Sequence, residues 1–290
     1  MGRAYLFQLL LVCAYTAYAQ IGPIQLDPNA VNPKAKKING EHLAYETPLA
    51  RNGKLLVTVG GTGSKPLNFR ALQQFAATLG YDVVALDYPN AVTTVKCRLS
   101  QDLNCFDHFH QEIVQGKDVS DLCTVDVNDS LQQRLQDVLK HLSSDEGLNN
   151  SAKRWREYYS QGQIQWTKLV LVGHSQGSGH VAFLGKLHKV DRVFLIAGPQ
   201  DSFDQLPAPW LLQVGATAKD RYFALLHKDD FYKASLQLSA FAALIGSVDL
   251  IQDPLQSQQV IVSDKPAKDA HNALIQKQFV KEWETFLKPR

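Results

Sequence analysis

Lys168-Leu-Val-Leu-Val-Gly-His-Ser-Gln-Gly177 is the stretch of sequence that decides the fold. Its apolar first half predicts a short buried strand over 168–172, and the spacing of residues 178–188 predicts a helix soon afterwards. Ser175 lies in the turn between them, in the pattern glycine, any residue, serine, any residue, glycine. A sharp strand-to-helix turn needs small flanking residues and presents the serine hydroxyl clear of the sheet. The stretch therefore predicts a candidate nucleophile at Ser175, and an ordinary glycine turn is the alternative.

Further apolar runs predict the other strands of the same sheet, at residues 54–59, 81–86, 192–196, 221–226 and 259–262. Segments with helical spacing separate them, at 66–79, 130–142, 231–245 and 272–287. Strands of a parallel sheet are buried on both faces and therefore form continuous apolar runs. The sequence predicts one α/β domain, with a mostly parallel, doubly wound sheet and helices on both faces.

The amino-terminal residues differ from the rest of the chain. An apolar run over 6–14 is followed by Ala17-Tyr-Ala19, which has the small residues that a signal peptidase recognises. A membrane anchor is the alternative, but the run is shorter than the roughly 20 residues that a spanning helix needs. We therefore expect a signal peptide over 1–19, one domain over 20–290, and a protein secreted to the extracellular space without stable membrane insertion.

The charge of the chain indicates no charged partner. It has 30 basic and 28 acidic side chains, a formal net charge of +2, and no long basic run. Nucleic-acid-binding proteins concentrate lysine and arginine on one face or along one helix. We therefore expect no nucleic-acid partner.

Residues 91–127 interrupt the alternation of strands and helices and contain the cysteines that would remain after cleavage. We predict that this segment is an irregular insertion over one rim of the sheet. Nearby cysteines tend to bridge in an oxidising compartment, which favours a disulfide between Cys97 and Cys105 and leaves Cys123 buried or free. No Cys-x-x-Cys and no histidine pair at helical ligand spacing accompanies them, so we expect no metal site.

Two pairs of residues in or near this segment are interpreted as surface positions. His108 and His110 flank one phenylalanine, and we expect both in a surface loop. Asn128 and Asn149 each begin an Asn-x-Ser pattern, the acceptor for N-glycosylation in a secreted protein. Both asparagines are therefore candidate glycosylation sites.

A serine hydroxyl is a weak nucleophile unless a base takes its proton. In sites built on a strand–serine–helix turn, an acid and then a histidine follow the serine along the chain. Of the histidines after Ser175, His180 and His188 lie on the helix that the serine begins. His227 ends the fifth predicted strand and comes before any remaining acid loop. His271 follows the last predicted strand, so we expect it to be the base.

The acid that orients the histidine is expected in the loop after the strand at 221–226. That loop contains Asp229 and Asp230, whose adjacent side chains point to different sides, and we favour Asp230. Asp201 and Asp204, after the preceding strand, are the reserve choice.

Acyl transfer also needs hydrogen-bond donors for the oxygen that becomes negatively charged. The backbone N–H of Gln176, directly after the nucleophile, is one candidate. The second is expected in Gly60-Gly-Thr-Gly63, with Thr62 favoured over Gly61. A glycine-rich loop after a strand can also bind phosphate, but this loop lacks the third glycine and the lysine–serine pair of nucleotide-binding loops.

These motifs give the chain a resemblance to the α/β-hydrolase superfamily, from about Lys54 to its end. The motifs are Val59-Gly-Gly-Thr-Gly63, Gly173-His-Ser-Gln-Gly177, the aspartates at 229–230 and His271. Within the superfamily the chain is similar to a poorly characterised, secreted, esterase-like branch. The features that carry this similarity are Tyr88-Pro-Asn90, the paired Cys97 and Cys105, and Asp129-Ser130 before Arg134-Leu135.

The resemblance implies hydrolysis of an ester or related acyl bond, without a metal or organic cofactor, on a small-molecule or polymeric ester substrate. The resulting hypothesis is a secreted serine hydrolase that forms an acyl-enzyme on Ser175. A catalytically silent binding or adhesion protein with the same fold is one alternative, and a peptidase, thioesterase or acyltransferase with the same triad is another. The chain departs from the family in two respects. Its first loop is Gly-Gly-Thr-Gly where many esterases have His-Gly-Gly-Gly, and its first two antiparallel strands are not evident beyond a remnant over 42–47.

Overall fold

The computed structural model describes most of the chain, namely residues 22–144, 151–247, 249–252 and 257–288. The predicted signal peptide over 1–19 and the candidate glycosylation site Asn149 lie outside the described residues. Within the described ranges, no helix combines the length and the apolar character that crossing a membrane requires.

The described strands form a central sheet and two small antiparallel hairpins. In chain order they are β1 (Ile24–Leu26), β2 (His42–Tyr45), β3 (Leu55–Val59), β4 (Asp82–Leu86), β5 (Tyr159–Ser160), β6 (Gln163–Ile164), β7 (Leu169–His174), β8 (Arg192–Ile196), β9 (Ser202–Phe203), β10 (Leu206–Pro207), β11 (Tyr222–His227) and β12 (Val260–Ser263). The central sheet has eight strands in the order β1-β2-β4-β3-β7-β8-β11-β12. From β4 to β12 all neighbours are parallel, whereas β1 and β2 are antiparallel to each other and β2 is antiparallel to β4.

The described helices are, in chain order, α1 (Pro28–Val31), α2 (Arg70–Thr78), α3 (Cys105–Gln115), α4 (Leu131–Ser143), α5 (Ala152–Trp155), α6 (Gln176–Leu187), α7 (Ala234–Ile245), α8 (Asp249–Gln252), α9 (Ala270–Ala273) and α10 (Val280–Leu287). The helix predicted over 272–287 is divided into α9 and α10. Between them the carbonyl of Leu274 accepts a hydrogen bond from Trp283 Nε1 at 2.8 Å, so this carbonyl is paired where the helix is interrupted.

Helices cover both faces of the sheet. α2 and α10 pack on one face, and α3, α4, α6 and α7 pack on the other. Along β3 the side chains alternate between the two cores, since Leu55 and Val57 belong to one and Leu56 to the other. The structure confirms the predicted α/β class, a mostly parallel, doubly wound sheet with helices on both faces.

The pairing of β3 with β7 brings two of the predicted site loops together. Val59 at the end of β3 pairs with Gly173 near the end of β7. The loop over 60–63 therefore lies beside the turn that carries Ser175. Both are at the carboxyl edge of the parallel strands, where open α/β sheets bind their ligands.

The two strands that were not evident in the sequence form the antiparallel edge of the sheet. β2 lies within the remnant at 42–47. β1 has three residues, and Pro23 and Pro28 flank it closely. Such a short strand carries too little of the two-residue alternation to be detected.

Residues 91–127 contain a regular element that was not predicted for them. Residues 105–115 form α3, which packs against α4 and α6 in the helical layer on one face of the sheet. Its buried face contains the apolar residues Phe106, Phe109, Ile113 and Val114 at helical spacing, together with the polar residues His110 and Glu112. Glu112 is satisfied because its carboxylate accepts the backbone N–H groups of Val119, Ser120 and Val125.

Both histidines lie on α3, so the prediction of a loop is wrong for His108 and for His110. His108 is partly exposed and lies 3.2 Å from the carboxylate of Asp102. His110 is fully buried, so the prediction of a surface position for it is wrong. A buried imidazole needs polar partners, and His110 has two that are distant in sequence, which the sequence pattern could not reveal.

The predicted disulfide between Cys97 and Cys105 is confirmed. It joins a 3-10 turn over Thr94–Leu99 to the first residue of α3. Cys123 is free and half-buried, and burial raises the pKa of its thiol to about 11. The candidate glycosylation site Asn128 lies in a partly exposed 3-10 turn, where its side chain donates to Asp126 at 3.0 Å.

A buried arginine ties the amino-terminal segment to the sheet. Arg134 on α4 lies 2.7 Å from Asp129 and 3.4 Å from Asp87, and all three side chains are at most 2% exposed. Arg134 also donates to the carbonyl of Lys37 at 2.6 Å, and the Lys37 N–H donates to Asp129. Burial raises the pKa of Asp87 to about 6, although the N–H of Asn39 and the charge of Arg134 lower it. Asp129 is therefore the stronger partner of Arg134.

Replacing Arg134 with methionine should lower the free energy of unfolding by about 3–5 kcal/mol, because it leaves buried carboxylates without their counter-charge. Urea denaturation at neutral pH measures this change. Lys36→Met is the matched control, since Lys36 and Asp126 form an exposed pair at 3.8 Å whose loss should cost less than about 1 kcal/mol. Equal losses for the two variants would contradict the account.

Candidate active site

Ser175 lies in a strained turn between β7 and α6. Its backbone has φ 57° and ψ −127°, a conformation that residues with a side chain rarely adopt. The flanking glycines are required by close contacts. A Cβ at Gly173 would lie 2.2 Å from the carbonyl oxygen of Gly177, and one at Gly177 would lie 2.3 Å from the carbonyl oxygen of Val59. The turn can therefore form only with glycine at both positions.

The hydroxyl of Ser175 is nearly buried, with 8% of the residue exposed. Its Oγ accepts a hydrogen bond from Gln200 Nε2 at 3.1 Å. On another side lies Gly61, where a Cβ would be 2.7 Å from the Cβ and 3.2 Å from the Oγ of Ser175. The backbone of the loop over 60–63 therefore approaches the serine as closely as glycine allows.

His271 and Asp230 form a buried pair. His271 Nδ1 lies 2.7 Å from Asp230 Oδ2, and each residue is 4% exposed. Asp230 also accepts hydrogen bonds from Gln237 Nε2 at 3.0 Å and from the N–H of Tyr232 at 2.8 Å. Burial raises the pKa of Asp230, but the hydrogen bond and charge of His271, together with the other donors, outweigh it and hold that pKa below its ordinary value. Asp230 is thus an ionised acceptor that orients the imidazole.

The other candidate acids do not contact His271. Asp229 is exposed, and its N–H donates to His227 Nδ1 at 3.1 Å. Asp201 is buried and accepts from His110 and Trp210 instead. Asp204 is exposed, in the turn between β9 and β10.

His174 connects the serine turn to His271. Its Nε2–H donates to the carbonyl of His271 at 3.0 Å, and the two rings are 4.9 Å apart. Burial and the charge of His271 lower the pKa of His174 to about 4, so it is neutral. Among the described residues, the hydrogen bond to Ser175 Oγ comes from Gln200, and none joins Ser175 to His271. The serine–histidine step of the triad therefore stays a prediction.

Three features together decide the fold family. The strand order places one antiparallel strand, β2, beside a run of parallel strands. The strained serine turn follows the central strand β7, and a histidine hydrogen-bonded to a carboxylate follows the last strand β12. The chain has the α/β-hydrolase fold. This agrees with the resemblance found in its sequence motifs.

No family model and no curated protein sequence matches the chain. Among solved structures it is similar to a predicted CIB-like hydrolase from Thermoplasma acidophilum, at 14% identity over 93% of this chain and 99% of that one, with a TM-score of 0.47. It is also similar to the esterase Pf2001 of Pyrococcus furiosus, at 11% identity over 93% of this chain and 90% of that one, with a TM-score of 0.43. A third similar structure is an acylaminoacyl peptidase, at 13% identity over 92% of this chain and 41% of that one, with a TM-score of 0.47.

The side chains of the two predicted oxyanion residues lie together. Thr62 Oγ1 donates to Gln176 Oε1 at 2.9 Å, and the same oxygen accepts the N–H of Thr94 at 2.9 Å. Asn90 Nδ2 holds the loop by donating to the carbonyl of Gly61 at 3.0 Å. Gln176 begins α6, and the first N–H groups of a helix have no acceptor within it. In this hydrolase fold, the N–H groups of Gln176 and Thr62 therefore remain the candidate oxyanion donors.

Four residues near the nucleophile were missed from the sequence. They are Gln200, His174, Gln237 and Asn90, each of which binds a predicted site residue or its loop. His174 lies inside the Gly-x-Ser-x-Gly motif, so the sequence placed it next to the nucleophile and could have indicated it as a site residue. Asn90 belongs to Tyr88-Pro-Asn90, which the sequence analysis noted without assigning Asn90 a role in the site, and Gln200 and Gln237 are single amides outside any motif. Within the described ranges, no group of three or more His, Cys, Asp or Glu side chains is arranged to hold a metal ion.

Aromatic side chains border the imidazole on its outer side. The rings of Phe231 and Tyr232 lie 4.9 Å and 5.1 Å from that of His271. Phe231 is 65% exposed. Arg98, which follows the disulfide residue Cys97, has its guanidinium 5.9 Å from the Tyr232 ring. The edge of the site is therefore formed by side chains from the loops after β4 and β11.

Gly177→Ala tests the steric basis of the serine turn. The added methyl group would collide with the carbonyl oxygens of Val59 and Gly60, so the free energy of unfolding should fall by about 1–3 kcal/mol or more. Gly40→Ala is the matched control, because the nearest atoms to its new Cβ lie 3.9 Å away and its stability should change by about 0.5 kcal/mol at most. Denaturant unfolding of both variants measures the difference. A Gly177→Ala protein as stable as the control would contradict the assigned turn geometry.

Proposed function

We propose that the protein is a serine hydrolase that cleaves a carboxylic ester, or a related acyl bond, through an acyl-enzyme on Ser175. The observation that carries the proposal is the buried 2.7 Å contact between His271 and Asp230 beside the strained serine turn. A buried imidazole held by an ionised carboxylate is the arrangement of a general base. His174 supports its placement next to the nucleophile, since it donates to the His271 carbonyl.

In the proposed first half-reaction, Ser175 Oγ attacks the acyl carbon of the substrate. Its proton passes to His271 Nε2 as the Oγ–carbon bond forms, and Asp230 stabilises the resulting imidazolium through Nδ1. The N–H groups of Gln176 and Thr62 stabilise the negative charge on the former carbonyl oxygen. His271 then gives the proton to the departing alcohol, and the carbon–oxygen bond to that alcohol breaks.

In the second half-reaction, water replaces the alcohol. His271 takes a proton from the water as the hydroxide adds to the acyl carbon. The tetrahedral species then collapses, the bond to Ser175 Oγ breaks, and Oγ recovers a proton from the imidazolium. The carboxylic acid is released, so neither half-reaction consumes a cofactor.

The predicted borders of the substrate pocket are residues 91–127 and 203–210. Phe106 on α3 and Phe203 on β9 support this proposal, because their rings lie 5.1 Å apart and join the two segments. Arg98 links the first segment to the site. It donates to the backbone carbonyl of Gln200 at 3.1 Å, and Gln200 contacts Ser175. The side chains of these two segments would then determine which acyl and alcohol groups the site accepts, and whether it accepts a peptide or a thioester.

A catalytically silent binding protein is the second candidate function. One specific observation favours it, namely that among the described residues no hydrogen bond joins Ser175 Oγ to His271. The buried His271–Asp230 pair favours the enzyme, because a binding protein has no need for a buried, hydrogen-bonded base next to a strained serine.

Secretion is part of the same proposal. The signal-peptide pattern over 1–19, the acceptor patterns at Asn128 and Asn149, and the disulfide between Cys97 and Cys105 support an extracellular location. We propose that the protein has no nucleic-acid partner and does not insert stably into a membrane.

A fluorophosphonate probe tests the nucleophile, because it forms a covalent bond with an activated serine. The wild-type protein should be labelled and should hydrolyse p-nitrophenyl esters, whereas Ser175→Ala should lose both properties. Ser178→Ala is the matched control, since this serine lies one turn further along α6 and its Oγ donates to the carbonyl of Ser175 at 2.5 Å. Labelling that survives in Ser175→Ala would contradict the assignment.

Asp230→Asn and Asp229→Asn separate the two adjacent aspartates. Loss of the carboxylate at 230 should lower kcat/KM for p-nitrophenyl acetate by about 10³–10⁴-fold, because the imidazole loses its orientation and its counter-charge. Asp229→Asn should leave kcat/KM unchanged, since Asp229 is exposed. Initial rates for both variants at the same pH give the comparison, and an equal effect of the two substitutions would exclude the assigned acid.

A further inference from the structure

Gln200 is the residue whose side chain contacts the reacting atom of the proposed nucleophile. It lies in the loop after β8 and is 3% exposed. Its Nε2 donates to Ser175 Oγ at 3.1 Å and makes a longer contact of 3.4 Å with the carbonyl of Ala197. The backbone carbonyl of Gln200 accepts a hydrogen bond from Arg98 Nη2 at 3.1 Å. Both ends of the residue are therefore fixed.

The next residue, Asp201, anchors this loop in the protein interior. Its Oδ2 accepts from His110 Nε2 at 2.6 Å and from Trp210 Nε1 at 2.9 Å, and its backbone carbonyl accepts from the N–H of Ala208. The side chains of His110 and Asp201 are 0% and 2% exposed. Charge-assisted hydrogen bonds shielded from water are strong and directional, so the position of Asp201 is narrowly determined.

A second buried histidine completes the anchor. His180 on α6 faces His110 with the two Nδ1 atoms 2.9 Å apart. Burial and the neighbouring His110 lower the pKa of His180 well below its ordinary value, so His180 is neutral. A Cβ at Gly179 would lie 2.7 Å from His110 Cε1, so the glycine permits the close approach of α3 to α6. The anchor thus connects the loop of Gln200 to the helix that Ser175 begins.

We infer that Gln200 is a catalytic residue that fixes and polarises Ser175 Oγ, and that Asp201, His110 and Trp210 are positioning residues that act through it. The inference rests on the proposed function, because it assigns a role in the same acyl transfer. An oxygen that accepts the amide N–H keeps its own hydrogen for a different acceptor, and His271 is the proposed base that receives it.

The role of Gln200 in the reaction follows from the charge on Oγ. As the Oγ proton moves to His271 Nε2, negative charge builds up on Oγ until the bond to the acyl carbon is complete. An amide donor already in contact with Oγ stabilises that charge without reorganisation. Gln200 itself gains and loses no proton, and the atoms exchanged are those of the serine, the imidazole and the substrate.

The first test is the rate of acylation in Gln200→Ala. The burst of p-nitrophenol from p-nitrophenyl acetate should be slowed about tenfold, which is what loss of one hydrogen bond of ordinary strength costs, with the effect on the acylation rate constant rather than on the affinity for the ester. Gln213→Ala is the matched control, because this glutamine lies in the same β8–β11 connection and is exposed. A Gln200→Ala burst as fast as that of the control would overturn the inference.

The second test uses a substitution that changes charge but not size. Gln200→Glu should shift the acidic limb of the pH profile of kcat/KM upward by about one pH unit, because a carboxylate next to the site favours the protonated imidazole. Gln200→Ala should slow the reaction without this shift. An unshifted Gln200→Glu profile would overturn the inference, because the new carboxylate would then not lie beside Ser175 and the imidazole.

The positioning residues are tested by a double-mutant cycle. Asp201→Asn should slow acylation in the wild-type background and have little further effect in the Gln200→Ala background, since it acts through the absent amide. Additive effects of the two substitutions would overturn the assignment of Asp201.

Fluorophosphonate labelling distinguishes a failure of the proposed function from a failure of the inference about Gln200. If the wild-type protein and Ser175→Ala are equally unreactive, the proposed function fails, whereas normal wild-type labelling with an unaffected Gln200→Ala rate means that only the inference fails.

Discussion

At Ser175 the backbone passes from the central strand into a helix with almost no space around it, and the rest of the site depends on that turn. Gly173 and Gly177 are in contact with each other and with the end of β3, so neither can carry a side chain. Because β3 and β7 are neighbours in register, the strained turn and the loop over 60–63 are forced against each other. The close packing of these two central strands, which are buried on both faces, compensates for the cost of the strained φ at Ser175.

The helical layer that covers one face of the sheet contains or contacts several buried ionisable side chains. Arg134 with Asp87 and Asp129, Glu112 with three backbone N–H groups, and the His110–Asp201 pair are each almost completely buried and each hydrogen-bonded. Such groups add little net stability compared with apolar residues, but leaving one without its partner is costly. They therefore specify one arrangement of the segments that surround the site, which a purely apolar core would specify less sharply.

The kind of interaction that forms each part of the fold and the site determines whether the sequence could predict that part. The parallel strands, the serine turn, the disulfide and the position of His271 after the last strand depend on local patterns and chain order, and the sequence contains both. The helix α3 has apolar residues at helical spacing, at Phe106, Phe109 and Ile113, which the prediction overlooked. The edge strand β1 and the burial of His110, in contrast, depend on partners far away in sequence, and no local pattern encodes them. The same is true of Gln200, a single amide whose contact with Ser175 arises only when the loop after β8 folds against α6. The catalytic roles of Ser175, His271 and Asp230 stay predictions that the geometry makes specific.

The central claim is that Ser175 carries the acyl group during turnover. Peptide-mapped mass spectrometry of the wild-type protein, stopped with acid while it turns over p-nitrophenyl acetate, tests this most directly. The account predicts one acetyl group on the peptide that contains Ser175, which disappears when the substrate is exhausted. Steady release of p-nitrophenol while that peptide stays unmodified, or with the acetyl group on a different residue, would contradict it.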